Sequence, residues 1–158
     1  TEEEKKRLRQ DEITRRGEAF ARRYYNEEIT ASQLWAEITK EKTEDQVSMQ
    51  RVIKRFLADS ISLDHHNDRA YVALHPLVKE KEIIKEMEAL EKEFLQTREA
   101  HYNRIANEIK NDLTRRGISG SAVLAKVESS SAWQEAKEMF EPVFKKKLDT
   151  IKARLLHS

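Results

Sequence analysis

The side chains best equipped for chemistry cluster in Asp64-His65-His66-Asn67-Asp68, with His75 close behind. Imidazoles and carboxylates bind metals and carry protons, but zinc sites draw ligands at fixed spacings, such as histidines at i and i+4 of one helix. Adjacent histidines in a polar stretch cannot easily aim at one ion, so the cluster reads as a solvated turn and no metal is expected. His101, beside Tyr102, reads as packing at the edge of an apolar stripe. The chain holds no Gly-rich phosphate loop, no G-x-S-x-G and no H-E-x-x-H. Nothing singles out a pair of carboxylates for acid–base work. With no cysteine there is no thiolate nucleophile, thiolate metal site or disulfide. The expectation is a non-enzymatic protein without a cofactor.

The cations are the next candidates. Thirty basic and 29 acidic side chains leave a net charge of +1, so bulk electrostatics favour neither nucleic acid nor an anionic surface. The densest basic run is Lys145–Lys147, within a segment to Arg154 whose only anion is Asp149. It is expected to face Glu86, Glu88, Glu91 and Glu93 across a helical hairpin. Arg51, Lys54 and Arg55 are different: helical spacing puts them on one side, away from Val47, Ile53 and Phe56, as possible nucleic-acid contacts.

These groups need a scaffold, and the sequence predicts a mainly α one. Hydrophobic residues make up 38% and charged residues 37%, which suits long helices with narrow buried stripes. Ile84, Met87, Leu90, Phe94, Tyr102, Ile105, Ile109 and Leu113 share a face, and Ala136, Phe140, Phe144, Leu148, Ile151 and Leu155 form a second stripe. Joined beyond Gly117, they predict a long antiparallel two-helix coiled-coil hairpin over residues 75–158, opened by Pro76. A turn centred near Ala125 makes the arms unequal: Leu155 reaches only Glu93–Leu95, leaving Ile83, Ile84, Met87 and Leu90 to be covered by residues 1–60 or by a second copy. Pro142 is expected to kink the second helix near Glu138–Glu141. The apolar tip supplies Ile118, Val123 and Leu124 as possible partner contacts.

Residues 11–74 form the other expected domain, a small helical unit. Helices are predicted from Asp11 to about Glu28, from Thr30 or Ser32 to about Glu41, and from Thr43 to about Ile61, after a frayed lead-in over residues 1–10. Residues 61–74 fit either a loop and helix or a β-hairpin. With a hairpin and Arg69 on it, the element order resembles that of winged-helix DNA-binding domains, in which the second helix enters the major groove. Opposing that, Glu41-Lys-Thr-Glu-Asp45 is acidic where phosphate would approach, and residues 1–63 carry 13 basic and 13 acidic side chains.

The expected function is protein–protein interaction or scaffolding, through a protein partner or self-association. The alternative is a winged-helix-like DNA-binding protein that dimerises through its hairpin. No apolar run approaches the 18 or so residues that span a membrane, and a cytoplasmic location is expected. The first residue is Thr1, so a trimmed piece of a longer protein is expected.

Overall fold

The computed structural model describes residues 1–117 and 122–158. The protein is mainly helical, 84% helix in seven α-helices, with no strand among the described residues. It divides into two compact units, Thr1–Ile84 with Ile151–Ser158, and Lys85–Thr150.

The first unit is built on α1 (Glu2–Tyr25), α2 (Ala31–Thr39), α3 (Thr43–Ser60) and α4 (Asp68–Leu74). The helical lead-in is continuous with α1 from Glu2, capped by Thr1: Glu2, Glu3 and Glu4 occupy its first turn and Arg22 and Arg23 its last, matching the helix dipole at both ends. Thr30, not Ser32, caps α2; its hydroxyl accepts from the Gln33 N–H while the Gln33 side chain accepts from the Thr30 N–H.

α1 buries Ile13, Gly17, Ala21 and Tyr24, a stripe at steps of four, four and three. Gly17 is there because α3 comes too close for anything larger. A Cβ built on it would stand 2.7 Å from Val52 Cγ1 and 3.0 Å from Met49 Sδ. This contact fixes which side of α3 turns inward. Met49, Ile53 and Leu57 are fully buried, while Val47, expected inward, is 53% exposed. Residues 47 and 49 differ by about 200° around a helix, and position 49 meets Gly17.

Residues 61–74 take the loop-and-helix alternative. Asn67 organises the loop: its side-chain amide donates to the carbonyls of Ser62 (2.7 Å) and His65 (3.1 Å) and accepts from the Ser62 N–H (3.1 Å). No wing forms, and Arg69 has other work. Its Nε donates to the Tyr24 carbonyl and its Nη2 to the Ile29 carbonyl, both at 2.7 Å. Its guanidinium lies 4.2 Å from the Tyr24 ring centroid, and the Tyr24 hydroxyl donates back to the Arg69 carbonyl at 2.6 Å. Burial pushes the Tyr24 phenol above its ordinary range, against the opposing pull of the Arg69 charge. A cation thus sits at the negative end of α1; two residues past that helix, Glu27 has a φ of 64°, a left-handed conformation that a side chain adopts at a cost of about 1 kcal/mol.

The last turns of α7 belong to this first unit. The Ser158 hydroxyl accepts from the N–H groups of Lys79 and Glu80 at 3.1 and 3.2 Å, and Lys152 donates to the Ile61 carbonyl at 2.6 Å. The returning helix therefore reaches residues 79–80, not merely Glu93–Leu95. Ile83, Ile84, Met87 and Leu90 are all buried.

The second unit holds most of α5 (Glu82–Arg115) and α7 (Ser131–His157), with α6 (Ala122–Ser129) between them in sequence. Pro76 lies in a 3₁₀ turn, His75–Leu77, and α5 starts six residues after it. Aromatic rings set the α5–α7 register: Phe94 is 5.4 Å from Phe144, His101 stacks on Phe140 at 5.2 Å, and Tyr102 meets Trp133 edge-on at 5.4 Å. Partner numbers fall on α7 as they rise on α5, so the helices are antiparallel. The pairing of Phe94 with Phe144 and of Tyr102 with Trp133 sets a register different from the one expected for a turn centred near Ala125; Gly117, two residues past α5, has a φ of 76°. The Ser130 hydroxyl caps α7, accepting from the Trp133 N–H at 3.1 Å, and α7 continues through Pro142.

Two stability measurements test this account. Gly17→Ala gains helix propensity of about 1 kcal/mol yet forces α1 and α3 apart; urea denaturation is expected to show a net loss of about 1–3 kcal/mol, and a gain would refute the close contact. Arg69→Met keeps the apolar stem and removes both carbonyl contacts. It is expected to cost about 2–3 kcal/mol, and an unchanged urea midpoint would show that the clamp contributes nothing.

Candidate functional site

A concavity lies along the seam between α1 and α3. The helices run parallel, since Arg9 meets Glu44 and Asp45, Gly17 meets Met49 and Val52, and Arg22 lies over Phe56. On one side the seam opens into a groove of about 810 Å³. Val52, Phe56 and Tyr25 supply its apolar surface, with Thr14, Ser48 and Ser60 adding hydroxyls. Arg51, Arg55 and Asp59 line it from α3, and Gln10 and Glu18 from α1. A smaller concavity of about 430 Å³ shares Gln10 and Ser48 and carries the groove on to Lys6 and Arg7. From Lys6 to Tyr25 along α1 this is roughly 28 Å.

Ion pairs close one end of the seam. Arg9 donates to Asp45 at 2.7 Å and to Glu44 at 3.0 Å. These hydrogen bonds, the one to Asp45 first, hold its guanidinium above its ordinary pKa. Arg16 pairs with Glu41, and the Gln46 side-chain amide donates to the Glu41 carbonyl at 3.0 Å. The acidic 41–45 connection is thus answered from within by arginines of α1.

Arg51 and Arg55 are exposed, line the groove together and form no salt bridge among the described residues. Lys54, grouped with them on sequence, is elsewhere: it is 7% exposed, and its Nζ donates to the main-chain oxygen of Ser158 at 2.6 Å. Burial pushes its ammonium pKa down, with Arg51 and Lys79 adding like-charge repulsion. The structure therefore brings together two of the three candidate contacts. Of the suggested tip contacts, Ile118 and the side chains of Val123 and Leu124 lie outside the described residues. Lys147, from the basic run, has its ammonium 5.4 Å from the Phe144 ring centroid.

The groove combines guanidinium and hydroxyl donors with an aromatic surface, the equipment of recognition. No histidine lines it, and no group of three or more ligand-type side chains that could hold a metal occurs among the described residues. No helix among them is long and apolar enough to cross a membrane. Sequence reasoning missed Tyr25 and Thr14 as groove residues, because they sit on neither an apolar stripe nor a charge run. The one available signal was Gly17 among buried positions, which marks a close helix contact and hence a seam. Comparison of the chain with protein-family models, with curated proteins and with solved structures finds no match.

Proposed function

We propose that this is a non-enzymatic interaction or scaffolding protein that receives a partner helix in its α1–α3 groove, and that α5 and α7 pair as an antiparallel coiled-coil hairpin. One observation carries the functional reading: a long open seam with apolar surface and two unpaired arginines, Arg51 and Arg55, along it. An amphipathic helix binds such a groove through an apolar stripe, with flanking charges fixing its orientation. The matching occupant presents carboxylates towards α3. The interleaved rings of Phe94, Tyr102, Trp133, Phe140 and Phe144 support the hairpin.

DNA binding is the second reading, favoured only by the exposure of Arg51 and Arg55. The burial of Lys54 and the balanced charge of residues 1–63 weigh against it.

The test is affinity capture by the intact protein and by Arg51→Glu/Arg55→Glu, each with and without nuclease. Partners retained after nuclease but lost with the double variant are expected; partners lost on nuclease treatment would replace the proposal with the DNA-binding one. Independently, an anisotropy titration of mixed-sequence duplex at ~150 mM salt is expected to show no binding below about 10 μM. With two phosphate contacts available, the log–log salt slope of any weaker binding should be near −2. Tight binding of one duplex sequence over others would overturn the interaction reading.

A further inference from the structure

α7 carries two apolar faces, and among the described residues only one is buried. Trp133, Phe140, Phe144 and Leu148 are buried on the first. On the second, Met139 is 76% and Val143 52% exposed. Ala132, Met139, Val143, Lys146 and Thr150 recur at steps of three, four and seven, all exposed. That spacing is the stripe of a helix that meets another helix along its length, and the small residues at both ends permit close approach.

Charge placement says what meets it. Glu135 lies four residues before Met139 and Lys146 three after Val143, on the same edge of the stripe. Both are exposed and neither has an ion-pair partner among the described residues. The stripe is acidic at its N-terminal end and basic at its C-terminal end. Laid parallel and in register on a copy of itself, it would set Glu135 against Glu135 and Lys146 against Lys146. Turned antiparallel about its midpoint, it sets Met139 against Val143 and Glu135 against Lys146, twice by symmetry. Such self-complementarity is what a two-fold interface between identical chains requires.

We propose that the outer face of α7 is a self-association surface, on which a second copy of this chain docks antiparallel with Met139 against Val143 and Glu135 against Lys146. Two exposed apolar side chains per copy place the pair at the small, reversible end of interfaces. Docking uses residues outside the α1–α3 groove and stands whether or not that groove binds a partner.

Sedimentation equilibrium of the full chain from ~10 to ~500 μM tests the proposal. A reversible monomer–dimer equilibrium is expected. Met139→Lys is expected to raise the dissociation constant about tenfold or more. Glu135→Lys and Lys146→Glu singly are expected to raise it roughly three- to tenfold, and together to return it to about the original value. All of these positions are exposed, and circular dichroism confirms that each variant remains helical. Arg51→Glu/Arg55→Glu should leave the dimer unchanged. A monomer throughout the range, single reversals without effect, a double reversal that fails to recover, or loss of the dimer in the groove variant would each overturn the proposal.

Discussion

The first unit depends on one contact, the meeting of α1 with α3 at Gly17. With a Cβ 2.7 Å from Val52 Cγ1, even a methyl group is excluded. The closeness of the backbones decides the rest. It turns Met49 and Ile53 rather than Val47 inward. It also brings α1 within reach of the residues that precede and open α3, so that Arg16 meets Glu41 and Arg9 meets Glu44 and Asp45. A wider seam would lose dispersion contacts and the reach of these side chains together, since packing falls off steeply with a gap of even 1 Å. Beyond the contact the groove opens along the edge of the seam, where Tyr25 and Phe56 line it together with Val52, the residue that meets Gly17.

Charge follows from that geometry. More than a third of the side chains are ionised, yet the net charge is +1. The surplus is spent at helix ends and across neighbouring elements: Arg69 on the carbonyls of Tyr24 and Ile29, Lys54 on the main chain of Ser158, Lys152 on that of Ile61. A cation donating to a carbonyl satisfies an acceptor that would otherwise be buried unpaired, at a gain larger than that of an exposed ion pair. Arg51, Arg55, Glu135 and Lys146, by contrast, form no salt bridge among the described residues.

The apolar stripes were readable in the sequence because burial obeys the helical period. All the stripe positions from Ile84 to Leu113 and from Ala136 to Leu155 are buried or half-buried. The register between them was not, because spacing says which face is apolar and nothing about which residue lies opposite. That choice falls to the rings, Tyr102 against Trp133 and Phe94 against Phe144. Arg51 and Arg55 could be placed on an exposed face, whereas Lys54 could not be withdrawn from it, because its acceptor lies 104 residues away in sequence. Arg69 was misplaced for a similar reason: its role requires a helix at 68–74, and a polar segment followed by Tyr-Val-Ala-Leu suits strand and helix alike.

A nearly neutral chain with sharply local charge associates in a particular way. At a net charge of +1 there is no long-range field to draw in an oppositely charged partner, so encounter proceeds at the ordinary rate of about 10⁵–10⁶ M⁻¹s⁻¹ for unsteered proteins. Selectivity then arises after contact, in whether charges fall opposite one another once apolar surfaces touch. Both outward surfaces have this form. Arg51 and Arg55 lie one helical turn apart along α3, so they accept carboxylates at one spacing, and Glu135 and Lys146 bracket Met139 and Val143, so they accept one direction. A slip by a single helical turn moves each charge about 5 Å, enough to break a hydrogen-bonded pair while leaving most of the apolar contact in place. Register, more than net attraction, is therefore what these helices recognise.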